Sequence, residues 1–81
     1  MIKVLFFAQL REQLGCDQLE LPADAKTLAE LREQLCQSQP AWCEPLSRPS
    51  VLMAVNQRLA KSSHPLADGD EVAFFPPVTG G

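Results

Sequence analysis

The sequence has one histidine, His64, and no cysteine pair in a C-x-x-C or metal-ligand spacing. A zinc or iron–sulfur centre is therefore not expected, and a single loop histidine before Pro65 is a poor candidate for a catalytic base. No nucleophile–base pair, phosphate-cradling glycine loop or carboxylate dyad stands out either. The chain does not read as a self-sufficient catalyst. No apolar run reaches transmembrane length. Residues 1–7 carry one lysine and no small-residue cleavage site after them, so they read as a strand rather than a signal peptide. The expectation is a cytoplasmic protein with no membrane partner. Positive charge is also short: seven Lys and Arg against ten Asp and Glu give a net charge of −3, which argues against nucleic acid as the main partner. The three cysteines, Cys16, Cys36 and Cys43, cannot all pair within one chain. They read as reduced thiols packed as small hydrophobes, with a sulfur-relay or redox role for one of them left open.

What is present fits one small domain. At 81 residues and 46% hydrophobic composition, the chain can bury a core but with little stability to spare. Residues 2–8 alternate: Ile2, Val4, Phe6 and Ala8 point one way, and Lys3, Leu5 and Phe7 the other. Residues 17–21 alternate again, with Leu19 and Leu21 inward, so the two segments suggest a hairpin. Thr27-Leu28-Ala29-Glu30 matches a capping box. Leu28, Leu31 and Leu35 then follow at helical spacing, predicting a helix to about Ser38. Pro40, Pro45 and Pro49 break the pattern over residues 39–50, where Trp42 and Leu46 read as anchors under a short helical turn or loop. Residues 51–55 form a continuous apolar run, a strand expected to be buried on both faces. Asn56-Gln57 turns it back into a short polar edge strand over residues 58–61. Residues 71–75 form the last strand.

This order predicts an α+β fold of the β-grasp (ubiquitin-like) type: a mixed sheet of about five strands with one main helix on one face. The first and last strands are the most apolar and belong side by side at the sheet centre. The domain spans residues 1–75, and residues 76–81 form an extended, flexible tail. Pro76 and Pro77 fix φ and favour an extended course. Gly80 and Gly81 leave a bare main chain that could thread a channel any Cβ would block. Six extended residues reach at most roughly 20 Å. A carboxylate at the tip, with a pKa of about 3.5, resists nucleophiles unless a partner activates it.

Alternation also exposes a surface. If Lys3 and Glu71 face solvent, so do Leu5, Phe7, Ala73 and Phe75, and Leu59 shares that face. One helix covers only one side of such a sheet. Phe7, Leu59 and Phe75 then form an apolar patch rimmed by Lys3, Arg11 and Lys61, of the kind that marks a partner site. Two alternatives remain: the segment around Trp42 folds over that face, or the register slips by one residue.

The runs Ile2-Lys3-Val4-Leu5-Phe6-Phe7-Ala8-Gln9-Leu10-Arg11-Glu12 and Asp68-Gly69-Asp70-Glu71-Val72-Ala73-Phe74-Phe75-Pro76-Pro77-Val78-Thr79-Gly80-Gly81 resemble the small-subunit family of molybdopterin synthase, MoaD. Ala54-Val55-Asn56-Gln57 fits as well. The wider relatives are ubiquitin-like sulfur carriers, including the thiamine-pathway carrier. The resemblance implies the sulfur-donating subunit of a sulfurtransferase, with no complete active site in this chain alone. On that resemblance an E1-like enzyme would adenylate the Gly81 carboxylate with ATP, and sulfur from a persulfide donor would convert it to a thiocarboxylate. The tail then enters the large subunit, with Gly80 allowing the threading, and sulfur passes to cyclic pyranopterin monophosphate to build the molybdopterin dithiolene. The assembly implied is a heterotetramer of two large and two small subunits, and no cofactor is bound permanently. Phe7, Leu59 and Phe75 would dock partners, with Arg11 and Lys61 adding charge contacts. Two alternatives stay open: a carrier for another pathway, such as a thiamine-type one, or a β-grasp interaction module without C-terminal chemistry. A β-grasp ferredoxin is excluded because it needs four suitably spaced cysteines.

Overall fold

The structure, a computed structural model, describes residues 1–76. Its elements are β1 (Ile2–Phe6), α1 (Ala8–Leu14), β2 (Gln18–Leu21), α2 (Leu28–Ser38), α3 (Pro40–Ser47), β3 (Leu52–Val55), β4 (Arg58–Leu59) and β5 (Glu71–Phe75). The five strands form one sheet in the order β2-β1-β5-β3-β4. β1 and β5 run parallel at the centre, with Val4 opposite Val72 and Phe6 opposite Phe74. Every other pair is antiparallel. This is a β-grasp fold, and the first and last strands are central neighbours, as their apolar content demands.

Period-2 alternation sorts the two faces. Ile2, Val4 and Phe6 of β1 and Val72 and Phe74 of β5 are fully buried. They share one core with Leu10 and Leu14 of α1, Leu28, Leu31 and Leu35 of α2, and Leu46 of α3. Burying a residue such as Phe6 or Leu31 stabilises the fold by about 1.5–3 kcal/mol. α2 starts where the sequence indicates, with the Thr27 hydroxyl accepting from the Glu30 N–H at 3.3 Å.

The structure corrects the single-helix expectation, because three helices cover this face rather than one. The first strand stops at Phe6, not Ala8: Ala8 adopts φ 53° and opens α1. Gly15, at φ 67°, closes that helix by donating to the Arg11 carbonyl at 3.0 Å. β1 and β2 therefore pair antiparallel across a helix. The proline-rich middle is α3. Pro40 occupies the first helical turn, where a missing N–H costs nothing, and only Pro45 lies inside the helix. The edge strand is also shorter than expected, ending at Leu59. Among the described residues no helix is long and apolar enough to cross a membrane.

Trp42 fixes α3 over the same face as α2. Its ring meets Phe6 edge-on, with centroids 5.4 Å apart at 73°. Its Nε1–H donates to the Leu14 carbonyl at 3.1 Å. The middle segment thus leaves the opposite side of the sheet bare. At the sheet's start, the Met1 amine pairs with Asp68, which holds that carboxyl below its usual range. The Gly69 N–H donates to the Met1 carbonyl at 3.0 Å, so β1 is tied to the turn that precedes β5.

Candidate functional site

The uncovered face of the sheet is built by the alternate residues of the central strands. Leu5 lies opposite Ala73, Ala73 opposite Ala54, and Ala54 opposite Leu59. Leu52 lies opposite Phe75 on the same face. The two alanines lower the middle of this row, and larger side chains stand around them. The result is a groove of about 410 Å³ lined by Leu5, Phe7, Ala54, Gln57, Leu59, Glu71, Ala73 and Phe75. Phe7 is 45% exposed and Leu59 72% exposed. Leu52 is also exposed, so β3 is not buried on both faces as its apolar run suggests.

The structure therefore brings Phe7, Leu59 and Phe75 together around one groove, in the register that alternation indicates. Arg11 and Lys61 do not line it. Arg11 is exposed on α1, and Lys61 is exposed beyond the end of β4. Lys3 is exposed on the same face and pairs in register with Glu71.

Each wall has a specific support. Phe7 caps the start of α1, and its N–H donates to the Phe74 carbonyl at 3.2 Å. Leu59 is held by a brace that the sequence reading missed. Asn56 and Gln57 make the turn between β3 and β4 at φ 52° and 70°, the conformation a two-residue hairpin needs. The Asn56 amide then donates to Asp70 Oδ1 at 3.0 Å and accepts from the Glu71 N–H at 3.0 Å. Asp70 Oδ2 accepts from the Ala67 N–H at 2.8 Å. This network clamps the β3–β4 hairpin to the start of β5. An asparagine in a turn and an aspartate beside a glycine were its only sequence signals.

No Ser, Thr, Cys, Lys or His side chain lines the groove. Among the described residues no cluster of three or more His, Cys, Asp or Glu side chains could hold a metal. The groove reaches Phe75, one residue before Pro76, where the tail begins. Pro76 is half-buried beside Gln9, Gln13 and Arg48, in a cleft between α1 and α3. The tail sites Gly80 and Gly81 lie outside the described residues.

The sequence matches the ThiS family over residues 4–81. It is 54% identical over 81 residues, all of both chains, to the molybdopterin synthase sulfur carrier subunit of Escherichia coli (strain K12). The fold is similar to SAMP1 from Haloferax volcanii, with a TM-score of 0.80 and 27% identity over 99% of this chain and 98% of that one. It is also similar to a chain in the complex of subunits 1 and 2 of the molybdopterin-converting factor from Helicobacter pylori. There the TM-score is 0.68 and the identity 30%, over 99% of this chain and 97% of that one.

Proposed function

The chain belongs to the ThiS family, and on that footing we propose that it is the sulfur carrier subunit of a molybdopterin synthase. The observation that carries the reading is the apolar groove on the one bare sheet face, ending at Phe75 beside the root of the tail. A partner seated there receives the tail from a fixed point. Reach and direction are then set by β5, the central strand that holds Phe74 in the core.

The chemistry takes place at Gly81. Its carboxylate is an anion at neutral pH and a poor acceptor for a nucleophile. Within the cytoplasm, an E1-like enzyme joins it to AMP from ATP and releases pyrophosphate. The outer sulfur of a persulfide then displaces AMP to give an acyl disulfide, and a thiol cleaves its S–S bond, leaving a thiocarboxylate at the same position and a disulfide on the donor. Sulfur is a softer and stronger nucleophile than the oxygen it replaces. The tail enters the active site of the large subunit, where Gly80 and Gly81 present no Cβ to the channel walls. There the sulfur passes to cyclic pyranopterin monophosphate, and two such deliveries complete the dithiolene. This chain itself holds no ATP and no cofactor: it supplies the docking face and the acyl carbon. The same groove serves the activating enzyme and the large subunit in turn, so both complexes must dissociate readily.

The 54% identity along the full length of a molybdopterin synthase sulfur carrier subunit, and the fold shared with a chain of a molybdopterin-converting factor complex, favour this pathway over a thiamine-type one. The test is direct binding to a purified, folded large subunit, measured by calorimetry and native mass. The expected result is a complex of two large and two small subunits with a Kd of about 1 μM or tighter, about 8 kcal/mol. No association with that partner, alongside firm binding to a thiazole-forming synthase, would move the protein to the other pathway.

A further inference from the structure

The docking groove is not apolar throughout. Apart from Gln57 and Glu71, every residue that lines it is apolar. These two polar residues stand together. Asn56, next to Gln57 in the turn, accepts from the Glu71 N–H at 3.0 Å through its side chain, and its own N–H donates to the Glu71 carbonyl at 2.7 Å. β5 runs from Glu71 to Phe75, so four steps of roughly 3.3 Å put Glu71 about 13 Å from Phe75. The groove is therefore polarised: apolar where the tail begins, acidic at its far end.

The acidic end lacks a counter-charge. Glu71 is half-buried. The ion pairs among the described residues are Met1–Asp68 and Arg48–Glu44, and Glu71 belongs to neither. Lys3 lies opposite it on β1, yet forms no ion pair with it. Water solvates the carboxylate while the groove is open. A partner that fills the groove displaces that water, and an unpaired carboxylate left in an apolar interface strongly opposes association.

We infer that the partner seated in this groove places a basic side chain, a guanidinium by preference, on the Glu71 carboxylate. The inference rests on the carrier reading, with the large subunit as that partner. A guanidinium forms two parallel N–H···O bonds to a carboxylate and keeps further donors for the Gln57 side-chain oxygen beside it. The pair also sets direction. Apolar contacts are non-directional, so a segment lies along an apolar groove either way round. A charge at one end accepts one orientation and leaves Glu71 unpaired in the other. The apolar end of the partner segment is thereby held at Phe75, beside the root of the tail.

The test measures binding of the full-length wild type, Glu71→Gln and Glu71→Lys to the purified, folded large subunit by surface plasmon resonance, at about 50 mM and about 500 mM salt. Glu71→Gln should keep its Tm within about 2 °C of wild type and bind about 10-fold more weakly, with the loss in the dissociation rate and still present at the higher salt. Glu71→Lys should bind at least about 100-fold more weakly, because two like charges then meet. The inference is overturned if Glu71→Gln binds at wild-type strength. It is equally overturned if the deficit lies in the association rate alone and vanishes at the higher salt, which is steering by a distant charge. A collapse of Tm in both variants would make Glu71 a packing residue and overturn it too. A wild-type chain that does not bind the large subunit is a different failure: it removes the carrier reading, and this inference with it.

Discussion

Removing Gly81 should abolish sulfur delivery and leave the fold intact. The core is built from residues of the central strands and the three helices, the last of them Phe74. A Tm within about 1 °C of wild type is expected, because every residue of that core is retained. The chemistry has no such tolerance. Shortening the chain by one residue withdraws the acyl carbon by roughly 3.5 Å. A displacement of only about 1 Å can cost a factor of ~100 at a reacting centre. Transfer of sulfur to the pterin substrate should therefore fall by at least about 1,000-fold in a reconstituted assay. Retained transfer by a chain ending at Gly80 would refute the assignment of Gly81.

Leu59→Glu separates docking from folding. Leu59 is 72% exposed and belongs to a two-residue edge strand, so its side chain contributes little to the isolated domain. In a complex that fills the groove, the new carboxylate lies on a face shared with Glu71 and must lose its water without gaining a partner. Affinity for the large subunit should fall by about 100-fold, or ~2.7 kcal/mol, with Tm changed by less than about 2 °C. Binding at wild-type strength would place the interface elsewhere on the molecule. A collapse in Tm would show that Leu59 is a packing residue.

Much of this site was legible because period-2 alternation is a strict geometric rule. Once Lys3 and Glu71 are assigned to solvent, Leu5, Phe7, Ala73 and Phe75 must follow. The register of β1 with β5 obeys that pattern. The rule ends where the strands end. Arg11 lies on α1 and Lys61 beyond β4, so alternation could not place either one at the groove. The run over residues 51–55 misled for a related reason. An apolar strand face implies burial, but not by which partner. Leu52 faces the open side beside Phe75, on a surface that the described residues leave uncovered.

The helix α3 was hidden by its prolines. Pro40 is harmless at a helix start, yet in sequence it looks like a break. What fixes α3 is tertiary: the Trp42 ring against Phe6 and its Nε1–H on the Leu14 carbonyl. The Asn56–Asp70 brace is likewise a contact between segments, and no local pattern announces it.

The central claim is that the end of this chain carries sulfur, and the intact mass of the full-length protein tests it most directly. The measurement follows incubation with the cognate E1-like activating enzyme, ATP, a persulfide sulfur donor and a thiol reductant. The predicted product is a species in which one oxygen is exchanged for sulfur, mapped by fragmentation to Gly81. An unchanged mass, with the activating enzyme shown to bind the chain, would contradict the account.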